Sequence, residues 1–163
     1  MTSVRTGIGI DSHAFAAGRR LVLGGIEIPH DRGLAGHSDA DVLTHAVIDA
    51  VLGAAGLGDI GQHFPDTDAR WKDADSLALL AVVLERVAEA GLSVVHVDTT
   101  VMLERPKLSE HREAMASTLT RSLGCPVNVK ATTGEGMGFV GRQEGVAAMA
   151  VATLEAREPA PSG

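Results

Sequence analysis

The sequence predicts an α/β or α+β sandwich in which helices lie on one face of a sheet. Three observations carry that expectation. Period-two alternation, clearest in "SVVHVDTTVML" (93–103), marks strands, here with Val95, Val97, Thr99, Val101 and Leu103 sharing a face. Helical spacing marks the stretches between them, as in "DADVLTHAVIDAVLGA" (39–54) and "DSLALLAVVLERVAEAGL" (75–92). The 163 residues, 45% hydrophobic and 21% charged, suffice for one domain with a sizeable core and are too few for two.

The elements follow in order. "GIGIDSHAF" (7–15) reads as a strand, and "LVLGGIEIP" (21–29) as two short strand pieces about Gly24-Gly25. The helix over 39–54 takes Ser38 or Asp39 as its N-cap, and the next opens at Asp75 or Ser76 and stops at Gly91. A third helix runs from about Ser109 to Leu123 with Gly124 as its stop, before a short strand "PVNVKAT" (126–132). "GVAAMAVATLEA" (145–156) is ambiguous: its alanines lean towards a helix, while small or apolar residues throughout suit a strand buried on both faces. Residues 1–157 read as one domain and 158–163, "EPAPSG", as a frayed tail.

Composition excludes several function classes. A formal charge of −7 argues against a broad nucleic-acid or anionic-membrane surface, although it leaves room for a local cationic pocket. Aromatics are limited to Phe15, Phe64, Trp71 and Phe139, too few for a base-stacking platform. Cys125 is the single cysteine, so no intrachain disulfide is expected and the cytoplasm suits the chain. With Pro126 beside it and no base nearby in sequence, a small buried thiol is the expected reading. No stretch approaches the ~20 apolar residues of a membrane span.

The chemistry concentrates in a few places. On an extended strand Asp11 and His13 point the same way, and a carboxylate beside an imidazole is half of a zinc site. "HSDADVLTH" (37–45) offers His45 as a third ligand, one helical turn after Asp41, which would leave a fourth position open as in catalytic sites. A hydrogen-bonded, half-buried histidine fits His45 equally well. Asp39 and Asp41 read as capping and solvated residues of a first helical turn. "GLGDIGQHFPDTD" (56–68) reads as a surface turn, with Asp59, Phe64 and Asp66 able to bind a polyol if the loop is ordered beside a metal. "VKATTGEGMGFVGRQEG" (129–145) combines five glycines with Lys130, Glu135 and Arg142, and Lys107 in "LERPKL" adds a further cation. Such a loop suits phosphate binding, though it is neither a Walker loop nor a dinucleotide fingerprint. A flexible connection is the competing reading.

Taken together, D-x-H near the start, "GLAGHSDADVLTHAVIDAVLGAAGLGDIGQHFPDTD", "RPKL" and "NVKATTGEGMGFVGRQEG" resemble the 2-C-methyl-D-erythritol 2,4-cyclodiphosphate synthases of the non-mevalonate route to isoprenoids. The resemblance runs over roughly residues 4 to 155. It implies cyclisation of 4-diphosphocytidyl-2-C-methyl-D-erythritol 2-phosphate with release of CMP, by a phosphorus–oxygen lyase. It implies zinc, or another divalent ion, on Asp11, His13 and His45, and magnesium or manganese held on the diphosphate with help from Glu135. His37 and Thr133 would stabilise the transition state. Asp59, Gly61, Phe64 and Asp66 would bind the erythritol phosphate portion, and Ser38 would also bind substrate. Lys107, Leu108, Ala131 and Thr132 would take the cytidine nucleotide, with Phe139 and Arg142 also at the substrate. The implied fold is α+β, a mixed β-sheet facing a three-fold axis with helices outside, in a β-prism-like homotrimer with active sites between subunits. On that resemblance residues 145–156 become a strand. A metal-dependent phosphohydrolase acting on a small phosphorylated substrate is the alternative activity, and a non-catalytic trimer binding an isoprenoid diphosphate or a metal is a third reading.

Overall fold

The structure, a computed structural model, describes residues 3–157. Its strands are β1 (Val4–Ala16), β2 (Leu21–Leu23), β3 (Ile26–Ile28), β4 (Gly33–Leu34), β5 (Leu92–Met102), β6 (Val127–Thr132) and β7 (Gly145–Ala156). Its helices are α1 (Val42–Ala55), α2 (Ile60–His63), α3 (Ser76–Glu89), α4 (Arg112–Leu123) and α5 (Gly138–Gly141), with one 3-10 turn at Ala69–Trp71. Among the described residues no helix is long and apolar enough to cross a membrane.

The main sheet runs β4-β1-β7-β5-β6 and is mixed: β5 and β6 are parallel and the other neighbours antiparallel. The α+β class and the mixed sheet therefore stand as expected. α1 packs across β1 and β7, α3 against α1 and β5, and α4 against β6, so the three long helices share one face. α1 is buried on nearly every side, from Val42 to Ala55, which is why it lacks a clean polar face. On the opposite face Ile8 and Ile10 of β1 pair with Val151 and Met149 of β7 and are 59%, 59%, 44% and 37% exposed.

Several sequence expectations need correction. The lean towards a helix at 145–156 fails: β7 lies at the centre of the sheet between β1 and β5, and its Ala148, Ala150 and Ala152 are small because α1 presses on them. The N-cap of α1 is Asp41, not Ser38 or Asp39. Nor is Asp41 solvated, for it is 0% exposed and accepts from the amides of Gly24, Gly25 and Thr44 and from the Thr44 hydroxyl. The β2–β3 hairpin turns on Gly24 and Gly25, both at positive φ as a two-residue turn requires. In β5 a bulge between Val94 and His96 breaks the alternation, so Val94 packs on the core in place of Val95. α4 starts three residues later than expected, after a turn at 109–111. Cys125 is buried, and burial pushes its thiol up, which suits a packing role. The expected tail at 158–163 lies outside the described residues.

Candidate functional site

β1 delivers Asp11 and His13 two residues apart on its helix-facing side, and α1 delivers His45 from its first turn. α1 comes near enough because Gly7 and Gly9 of β1 carry no side chain. A Cβ on Gly7 would stand 2.2 Å from the Ala50 carbonyl oxygen. The three ligand atoms converge: Asp11 Oδ2 lies 2.9 Å from His13 Nε2 and 3.1 Å from His45 Nδ1, and the two imidazole nitrogens are 3.3 Å apart. Donors about 2.0–2.1 Å from one tetrahedral ion stand about 3.3 Å from each other, so the set fits a divalent cation. The outer nitrogens are also engaged. His13 Nδ1–H donates to the Ala35 carbonyl at 2.7 Å, and His45 Nε2 meets Ser76 Oγ at 2.8 Å and Ser38 Oγ at 3.1 Å.

Electrostatics agree with that picture. Burial acts to raise the Asp11 pKa, but hydrogen bonds and charge from His13 and His45 outweigh it and lower it to about 2. His13 is opposed by burial and by Arg19, yet Asp11 and the Ala35 carbonyl raise its pKa. A carboxylate held ionised against two imidazoles is the condition in which a cation can replace protons.

The triad opens into a cleft of about 500 Å³ that also receives His37, Ser38, Gly61, Phe64 and Asp66. His37 donates Nε2–H to the Asp68 carbonyl at 3.2 Å. The stretch 56–68 lies at the surface as expected, and it is also an ordered wall of the cleft: Asp59 caps α2, Asp49 accepts from the Ile60 amide at 2.7 Å, and Phe64 is 7% exposed with its ring edge-on to Trp71. Asp59 lies at the head of α2 without lining the cleft.

A second pocket, of about 260 Å³, gathers Lys107, Leu108, Ala131, Thr132 and Thr133 at the ends of β5 and β6. It is not continuous with the first. Ser12, Ala147, Met102 and Thr132 form one register row, so β1 and β6 are three strand spacings apart, roughly 14 Å. His37 and Thr133 therefore lie in different pockets of one chain. Glu135, exposed and at positive φ, belongs to neither pocket, and nor do Phe139 and Arg142, whose guanidinium pairs with Glu144 at 2.9 Å. The glycine-rich stretch is not a loose connection: α5 folds back on it, and a Cβ on Gly134 would sit 2.5 Å from the Gly141 amide nitrogen.

Sequence reading did not find Ile60, Trp71 and Leu79 in the cleft wall, Arg112 in the second pocket, or Ser76 and Asp39 behind His45. A lone tryptophan next to the F-P-D-T-D run was a usable signal. Ser76 offered none, since its partner His45 lies 31 residues away.

Over residues 4–155 the chain matches the YgbB family. It belongs to that family. It is similar to a 2-C-methyl-D-erythritol 2,4-cyclodiphosphate synthase of Salinibacter ruber, with 62% identity over 155 residues that cover 93% of this chain and 99% of the relative. Among solved structures it is similar to the bifunctional IspDF of Campylobacter jejuni, at 43% identity and a TM-score of 0.93, covering 97% of this chain and 44% of that one. A 2C-methyl-D-erythritol-2,4-cyclodiphosphate synthase in a CDP-bound form follows at 39% identity and a TM-score of 0.84, covering 92% of this chain and 99% of that one. The match extends over nearly the whole chain and includes its fold, and the family resemblance read from the motifs stands.

Proposed function

We propose that this YgbB protein converts 4-diphosphocytidyl-2-C-methyl-D-erythritol 2-phosphate into 2-C-methyl-D-erythritol 2,4-cyclodiphosphate and CMP. The observation that carries the reading is the meeting of Asp11, His13 and His45 in a cleft walled by His37, Phe64 and Asp66. The 62% identity to a named synthase supports it. An oxygen of the substrate's 2-phosphate forms a bond to the β-phosphorus. The bond from that phosphorus to the bridging oxygen breaks, and CMP leaves with the electron pair. No protein nucleophile is needed, which agrees with a lone, buried Cys125.

The chain's work is to fold a flexible polyanion until its ends meet in line. Asp66 accepts hydrogen bonds from the erythritol hydroxyls and Phe64 dries the wall behind it, while Asp59 caps the helix α2 that completes that wall. Leu108 and Ala131 pack on the pyrimidine while Lys107 faces phosphate. His37, Ser38, Thr132 and Thr133 donate to phosphoryl oxygens where charge gathers. Phe139 and Arg142 complete the substrate contacts. A divalent cation held by Asp11, His13 and His45, zinc by ligand type, would neutralise a phosphate at its open position, and magnesium or manganese beside Glu135 would do so on the diphosphate.

Within one chain the strands beside the two pockets, β1 and β6, lie roughly 14 Å apart, and the sheet leaves Ile8, Ile10, Met149 and Val151 uncovered. Both features support a homotrimer with sheets around the axis, in which the second pocket of one subunit faces the metal cleft of its neighbour. The deciding experiment is ³¹P NMR of the products made with zinc and magnesium in H₂¹⁸O. Equimolar CMP and cyclic diphosphate without solvent oxygen is the expected result. A linear product carrying ¹⁸O would make the protein a phosphohydrolase.

A further inference from the structure

Behind His45, on the side away from the triad, lies a hydrogen-bonded chain that none of the site's assignments uses. Ser76, the first residue of α3, is fully buried, with its Oγ 2.8 Å from His45 Nε2. Its hydroxyl donates to Asp39 Oδ1, and its amide donates to Asp39 Oδ2 at 3.0 Å. Asp39 Oδ1 also accepts the Asp41 amide at 3.1 Å. The carboxylate therefore holds the serine from two directions, at the positive end of α3.

We propose that Asp39 and Ser76 are positioning residues for the metal centre: acting in series, they set the tautomer and ring orientation of His45 so that Nδ1 faces the ion. The inference rests on the metal reading above. An ionised carboxylate only accepts, so the single Ser76 hydroxyl proton is committed to Asp39. The Ser76 oxygen then offers a lone pair to His45, and Nε2 must carry the hydrogen. The only proton His45 can give up to a cation is then the one on Nδ1, the nitrogen that faces Asp11 Oδ2 and His13 Nε2 at 3.1 and 3.3 Å. Ser38 Oγ, 3.1 Å from the same Nε2, cannot impose this, because its proton is not committed to a carboxylate and can turn either way. His13 follows the same logic with its nitrogens exchanged: Nδ1–H is tied to the Ala35 carbonyl and Nε2 is the free ligand. The two histidines thus use opposite nitrogens, each chosen by the bond on its far side.

The test is the zinc dissociation constant, measured by competition with a chromogenic chelator on metal-free protein, and it does not require turnover. Ser76→Ala and Asp39→Ala should each weaken zinc about 10–100-fold. The double variant should be no weaker than the worse single one, because the residues act in series. Ser76→Thr, which keeps the hydroxyl, should stay within about threefold of the wild type. Zinc affinity of Ser76→Ala within twofold of the wild type, or losses that add in the double variant, would overturn the inference. If the alanine variants do not fold, ¹¹³Cd–¹⁵N couplings in cadmium-loaded wild type decide: coupling to Nδ1 of His45 and Nε2 of His13 is expected, and coupling to Nε2 of His45 refutes it. A wild type that binds zinc in this manner yet releases no CMP would sink the proposed function and leave this inference intact.

Discussion

A Cβ on Gly9 would stand 1.8 Å from the carbonyl oxygen of Ala46, well inside any permitted contact. The strand that carries Asp11 and the helix that carries His45 are thus pressed backbone to backbone, and the bare α-carbon of Gly9 sets their spacing. Gly9→Ala must push α1 off β1. We expect a loss of about 1–3 kcal/mol in urea unfolding, as overpacking costs, together with weaker zinc binding because His45 moves with the helix. A variant with wild-type stability and zinc affinity would show that the two backbones are not held at that distance.

Asp41 links the β2–β3 hairpin to the start of α1 through four accepted hydrogen bonds, of 2.7–3.0 Å. Burial raises its pKa and the hydrogen bonds act the other way. Asp41→Ala removes a helix cap and leaves the Gly24 and Gly25 amides without their acceptor. The expected cost is about 3 kcal/mol or more, measurable as a shift of the urea midpoint. A change below about 1 kcal/mol would mean that water or a neighbouring group replaces the carboxylate.

Metal-free protein should show a pH signature from Asp11 and His13. Asp11 has a depressed pKa, so its contribution is present above about pH 4 and lost as pH falls towards 2. His13 has a raised pKa, so its contribution is complete below 6.5 and lost as pH climbs through the raised value. With EDTA present, Asp11→Asn should therefore destabilise more at about pH 5 than at about pH 9. Equal losses at both pH values in urea unfolding would refute the coupling.

The proposed trimer, with each site shared by two subunits, predicts complementation between variants. Asp66→Ala and Lys107→Ala should each be nearly inactive alone. Unfolded, mixed and refolded together, they should regain a sizeable fraction of activity, since some junctions then join two intact half-sites. Ile10→Glu, on the uncovered sheet face, should lower the mass seen by light scattering towards that of one chain. Mixtures no more active than their parts, with Ile10→Glu still trimeric, would contradict the intersubunit arrangement.

Local patterns were legible where the chemistry is local. The period of two put Asp11 and His13 on one face, and helical spacing put His45 on α1; the F-P-D-T-D and glycine-rich runs were visible as unusual. The alanines of β7 misled, because a central strand under a closely packed helix needs the same small residues that a helix favours. The bulge at Val94/His96 left no mark in the apolar alternation, since valine stands at both Val94 and Val95.

Residue order alone was enough to put Asp11 and His13 on one strand face and His45 on a helix, and to bring out the resemblance to the cyclodiphosphate synthases that the YgbB match bears out. It took the folded chain to reveal Asp41 as a buried clasp, Asp39 and Ser76 behind His45, and the two pockets as separate. The physical reason is range. Alternation and helical periodicity act over a few residues, whereas the contact of Asp39 with Ser76 spans 37 positions and forms only when two helices dock on one sheet.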